Sequence, residues 1–165
     1  MRTVQPEPLT ATAFAPYGDV IEPAGAADAI SINYGNTTRF HDLFPVEVSE
    51  GDGDVCVNIF RSNPLPDPIK IEIMENHPLG SQAFIPLSQE PYLVVVAPAG
   101  EFDANTIRVF RAASGQGVNY SKGTWHHFCL ALNTQSDFLV IDRKGEGDNC
   151  VEVELDEADQ LTISL

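Results

Sequence analysis

Two short stretches of this chain hold the side chains best suited to proton transfer or metal ligation. In "VNYSKGTWHHFCLALN", His126 and His127 stand side by side behind the sole tryptophan, Trp125, at the mouth of an apolar run. In "MENHPLGSQAFIPL", Glu75, His77 and Gln82 interrupt another apolar segment. An imidazole gains and loses its proton near neutrality, and a positioned acid or base is worth ~10²–10⁴ in rate. A carboxyl partly removed from water gains proton affinity and becomes a fitting partner. Plainer roles fit the same residues. His77 precedes a proline and can end a strand with its ring hydrogen-bonded, Gln82 can satisfy buried backbone groups, and Glu75 can be a solvated charge.

The elements around these residues read as β-strands. Apolar and polar residues alternate in "IKIEI" (69–73) and "VEVEL" (151–155), the two-residue period of a half-buried strand. Further strand candidates are "DVCVNIF", "SQAFIPL", "YLVVVAP", "TIRVFRA", "HHFCLAL" and "DFLVIDR". Residues 92–96 are apolar at every position, as expected of a strand covered on both faces. Helix signals are few: Thr10 can cap a short turn ending before Pro16, and "DEADQ" can form another. Twelve prolines and twelve glycines punctuate these segments. The pattern predicts an all-β fold, a jelly-roll or barrel with few short helices, over one domain spanning 1–165.

A continuous strand over 125–132 would send the two histidines to opposite faces. His126 would then lie with Phe128, Leu130 and Leu132, and His127 with Cys129 and Ala131. Only one ring would face a barrel lumen, unless a bulge turned both inward.

Charge narrows the partners. Twenty-four acidic residues against nine basic ones give a net charge of -15. Affinity for nucleic acid comes from basic side chains on phosphates, so neither nucleic acid nor an anionic membrane surface is expected. A small substrate held by local groups is. The opening "MRTVQPEPLTATAF" lacks the apolar core of a signal peptide, and Cys56, Cys129 and Cys150 form no CxxC pair. Both point to a cytoplasmic protein with reduced thiols.

Small β-barrels bind ligands in their mouths. Here the chain resembles the cupins, whose first motif spacing is matched by Glu75-x-His77, four residues, Gln82. Their second is matched by Gly115, five residues, Ser121-x-Gly123, two residues, His126. Glu75, Gln82 and Ser121 replace the histidine, glutamate and proline that are usual there. More specifically, "FAPYGDVI", "HPLGSQAFIPL", "QGVNY…WHH" and "DFLVIDR…DNC" occur in the order found in the ureidoglycolate lyase (ureidoglycolate hydrolase) family. The chain departs from it at "SKG" after Tyr120 and at Phe128.

That resemblance implies a cupin-like double-stranded β-helix, a homodimer, and release of urea from (S)-ureidoglycolate to leave glyoxylate in allantoin and purine breakdown. The chemistry needs a base for the hydroxyl, an acid for the leaving nitrogen and a group for the carboxylate. His77, His126, Glu75 and Gln82 are the expected catalytic set. The same four make a mixed nitrogen and oxygen site suited to Ni, Mn, Zn or Fe, with no organic cofactor. For the carboxylate, Arg39 and Arg61 are the leading cations, with Lys122 a third. Tyr120 and Trp125 are expected as site walls, and His127 as a further contact. Two other functions fit the same residues, a non-catalytic sensor of glyoxylate or a similar acid and another metal-dependent cupin enzyme.

Overall fold

The most apolar segment of the chain lies at the centre of the molecule. Tyr92 to Ala97 are each at most 2% exposed, because this strand has a packed layer on both sides. In the computed structural model, which describes residues 2–165, Tyr92–Ala97 sits within a sheet ordered Val151–Glu154, Ile73–Asn76, Trp125–His126, Tyr92–Ala97, Arg108–Ala112, Glu7–Pro8. A second sheet runs Gly18–Ile21, Gly117–Tyr120, Gln82–Pro86, Ser136–Lys144, Asp54–Ser62.

Alternation along the central strand feeds two cores. Tyr92, Val94 and Val96 join Phe14, Phe84, Phe110, Tyr120 and Phe138 in the lumen between these sheets. Leu93, Val95 and Ala97 join Ile71, Met74, Trp125, Leu130 and Leu161 behind it. A third sheet of Arg2–Val4, Leu161–Ile163 and Ile69–Ile71 supplies part of that rear core. The architecture is the all-β, cupin-like one expected. Among the described residues no helix is long and apolar enough to cross a membrane.

The short helix Ala11–Phe14 begins where expected, with the Thr10 hydroxyl accepting from the Ala13 amide at 3.2 Å. Two strands differ from their sequence pattern. "IKIEI" is split at Glu72 into Ile69–Ile71 and Ile73–Asn76, which belong to different sheets. The stretch after Trp125 is also interrupted. His126 lies opposite Val96 and Leu130 opposite Leu93, so residues 127–129 face only 94 and 95. One extra residue is a β-bulge. It reverses the alternation: Leu130 and Leu132 turn to the rear core, whereas His126 stays on the face of Val96.

One close approach fixes the lumen wall. Gly18 pairs with Tyr120 at φ +146°, and a Cβ there would lie 1.8 Å from the Asn119 carbonyl oxygen. Only glycine lets these strands meet.

Candidate active site

Side chains from both sheets converge at one end of the lumen. Glu75 and His126 are direct cross-strand partners and share a face. Gln82 lies on the face of Phe84, and Tyr120 on that of Val118, in the opposing sheet. His77 follows the end of the Glu75 strand, in the turn that leads to Gln82. Glu75, His77 and His126 each offer a ligating atom, all within 4.8 Å of one another. The His77 and His126 rings are 5.1 Å apart, and Tyr120 stacks flat on His126 with centroids 4.2 Å apart and planes 2° from parallel.

Both imidazoles are oriented by backbone carbonyls. His77 Nδ1 meets Asn149 O, and His126 Nδ1 meets His127 O at 3.1 Å. A carbonyl can only accept, so each Nδ1 carries a hydrogen. The other nitrogen of each ring is free of such a tether. His126 Nε2 is buried without a hydrogen-bond partner, while His77 Nε2 lies 3.1 Å from Gln82 Oε1. Carbonyl-tethered imidazoles of this kind are the usual support for metal ligands. An orphaned Nε2 lone pair, a carboxylate, a second imidazole and an amide oxygen fit a divalent ion. Glu75, His77 and His126 can hold one, with Gln82 as neighbour.

Burial sets the charges. It drives the His126 pKa down to about 3, helped by the charge of His77, so the ring is neutral. Its 3.7 Å approach to Glu75 Oε1 is therefore no ion pair. Burial also lifts the Glu75 carboxyl above the usual carboxylate range, opposed by His77. Tyr120 is held well above the ordinary phenol value by burial, which keeps its hydroxyl protonated.

The expected periphery is rearranged. Trp125 packs against Phe102 in the rear core and donates to Gly100 O, so it does not wall the site. The alternation explains this, since Trp125 precedes His126 and must face the other way. His127 is buried, with Nδ1 on Phe128 O and its pKa lowered to about 4 by burial, and it is not part of the ligating cluster. Arg61 lies on the outer face of its strand in a two-pronged pair with Asp137. Arg39 is exposed on the hairpin Asp28–Ile32 and Thr37–His41, against His41. Lys122 pairs with Glu50 beside a hollow of about 450 Å³ lined also by Glu47, Ser49 and Leu79. No lysine or arginine among the described residues hydrogen-bonds to Glu75, His77, Gln82 or His126. Another hollow, of about 480 Å³, is lined by Glu101, Asp103 and Asp159 and contains none of the cluster. Glu75 instead lines a cleft of about 90 Å³ with Met74, Phe128 and Glu152.

Three residues enter that sequence reading did not single out. Asn149 supplies the His77 carbonyl, and its side chain accepts from the Leu79 amide at 2.8 Å. Asp142, on the lumen face with Phe138 and Val140, approaches Gln82. Asn58 donates to Asp142 at 3.1 Å. Asp142 and Asn149 fall within the "DFLVIDR…DNC" block, which carried a signal without a role; Asn58 had none.

Residues 1–163 match the family model described as "Ureidoglycolate lyase". A Burkholderia mallei (strain NCTC 10229) protein named ureidoglycolate lyase is 53% identical over 162 residues, covering 98% of this chain and 95% of that one. Proteins of the same name from Pseudomonas putida (strain W619) and Pseudomonas aeruginosa (strain LESB58) are each 48% identical. The first match covers 99% of this chain and 98% of the relative, the second 99% and 96%. A full-length family match and relatives so close over nearly their whole length leave one reading of its ancestry: the chain belongs to the ureidoglycolate lyase family.

Proposed function

We propose that the protein is a carbon–nitrogen lyase that cleaves (S)-ureidoglycolate to glyoxylate and urea. Beyond family membership, the observation that carries this is the pairing of two carbonyl-tethered imidazoles with one half-buried carboxyl in a single cluster.

The reaction needs no net proton. The hydroxyl hydrogen of the substrate ends on the departing nitrogen as the C–O bond becomes a carbonyl and the C–N bond breaks. Glu75 is suited to both transfers, because burial raises its proton affinity toward neutrality. Ionised, it takes the hydroxyl proton; protonated, it returns that proton to the nitrogen of urea. His126 presents an acceptor lone pair at Nε2 to the hydroxyl and, on a ring held flat by Tyr120, cannot turn away. His77 and Gln82 close the opposite side.

A divalent ion such as Ni, Mn, Zn or Fe, held by Glu75, His77, Gln82 and His126, would acidify the hydroxyl and neutralise the carboxylate. With Arg39, Arg61 and Lys122 engaged elsewhere, that is the role their absence leaves open.

The test is incubation with racemic ureidoglycolate, with and without Ni²⁺ or Mn²⁺, measuring urea and ammonia. Urea without ammonia is expected. Ammonia would indicate hydrolysis of the ureido group, and neither product would favour a non-catalytic binding protein.

A homodimer belongs to the same proposal. Val55, Val57 and Ile59 are exposed along the outer face of the edge strand Asp54–Ser62, and Ile30, Tyr34 and Phe40 on the hairpin. Exposed apolar residues gathered on an edge strand suit a second copy of the chain. Light scattering should give twice the chain mass, and Val57→Asp with Ile59→Asp should reduce it to one.

A further inference from the structure

Gln82 can present either end of its amide to His77, and a neutral His77, its hydrogen on Nδ1, would by itself favour the NH₂ end. A carbonyl oxygen facing Nε2 requires a proton or a metal ion between them. An NH₂ facing Nε2 would donate to its lone pair and cap it. The two orientations are nearly isosteric, so a third group must decide.

That group is Asp142. Its Oδ2 lies 3.5 Å from Gln82 Nε2, a long contact in which sign matters more than hydrogen-bond strength. Turning the amide over would place its carbonyl oxygen against the carboxylate. Asp142 is itself held: Asn58 Nδ2 donates to Oδ1 at 3.1 Å, and the Asn58 amide is in turn within 3.4 Å of Cys56 Sγ. Register keeps the group together, since Cys56 lies opposite Asp142 and Asn58 opposite Val140.

We propose that Asp142 is a positioning residue, which acts through Gln82 to aim the amide oxygen at the point faced by His77 Nε2. Oxygen and nitrogen electron pairs then converge 3.1 Å apart, and the space between them seeks a cation. Without Asp142 the amide turns, its NH₂ caps Nε2, and His77 is lost to proton or metal chemistry while the fold persists. The proposal rests on the lyase reading only for its kinetic arm.

The test uses Asp142→Leu, Gln82→Glu and the pair Gln82→Glu with Asp142→Asn in the full chain. Asp142→Leu should lower kcat/KM for urea release by roughly 10–100-fold, the usual effect of removing a supporting partner. In ¹⁵N spectra of histidine-labelled, chelator-treated protein, the His77 Nε2 resonance should change as the nitrogen comes to accept a hydrogen bond from the turned Gln82 amide. Gln82→Glu sets two carboxylates against each other and should be comparably impaired. Adding Asp142→Asn supplies an NH₂ to the new carboxylate and should restore at least ~10-fold of the loss. A merely structural Asp142 would not rescue in this way. Wild-type kinetics and an unmoved His77 resonance in Asp142→Leu would overturn the proposal, as would a double variant no better than Gln82→Glu alone. If no urea forms even with the wild-type chain, the lyase reading fails, and the His77 resonance alone still decides the role of Asp142.

Discussion

At the scale of single residues, the site works by withholding alternatives. His126 has one nitrogen committed to a backbone carbonyl, one left bare, and a tyrosine ring against its face. Its neutrality follows from burial, so it offers a lone pair instead of a charge. In the proposed reaction Glu75 is the group that carries the proton. Glu75→Gln keeps the size and a hydrogen-bonding end but cannot carry the proton across. It should lower kcat by ~10²–10⁴ in a urea-release assay while leaving the thermal midpoint nearly unchanged. A variant within threefold of wild type would assign the transfer to another group.

At the scale of elements, the bulge at 127–129 does more than reverse a face. A regular ladder would direct the carbonyls of His127 and Phe128 toward neighbouring strands; here they accept from the Nδ1 atoms of His126 and His127. Removing Phe128 would restore a regular ladder with His126 still opposite Val96 and Leu130 opposite Leu93. Such a deletion should keep the far-ultraviolet circular dichroism of the parent. It should lose at least ~10-fold in kcat/KM, because the His126 ring is no longer tethered.

This element also marks where sequence stops being informative. Alternation over 151–155 correctly predicted the strand Val151–Glu154, the apolar run 92–96 predicted the doubly covered Tyr92–Ala97, and the candidate SQAFIPL contains Gln82–Pro86. Strict alternation put Leu130 beside His126, because an inserted residue leaves no trace in composition. The cluster itself was legible, since motif spacing brought Glu75, His77, Gln82 and His126 together. The cations were not: whether Arg61 points into a lumen or out of it depends on one residue of register. Asp142 and Asn58 escaped because their importance comes only from what lies across two strands.

At the scale of the whole molecule, acid should unfold this protein through its buried imidazoles. The unfolded chain binds protons near the ordinary histidine value of 6.5, whereas the native state does so only near about 4 for His127 and about 3 for His126. Unfolding therefore takes up protons between these limits, and stability falls as pH drops below 6.5. For His127 alone the loss reaches at most about 3 kcal/mol near pH 4. Above pH 6.5 both rings are neutral in either state and add no slope. In chelator-treated protein, the thermal midpoint should decline from pH 6.5 to 4.5, and His127→Asn should make that decline shallower. The net charge of -15 repels an anionic substrate, so added salt should raise kcat/KM, modestly if short-range contacts dominate.

The strand Tyr92–Ala97 belongs to both cores at once, and neither can loosen without exposing it. Its backbone amides should therefore exchange with deuterated water only when every layer separates, and Val94 and Val95, one from each core, should report the same opening free energy. Heat inactivation and loss of tertiary structure should then follow a single curve, with no warm state in which the sheets survive and the cluster of Glu75, His77 and His126 has come apart.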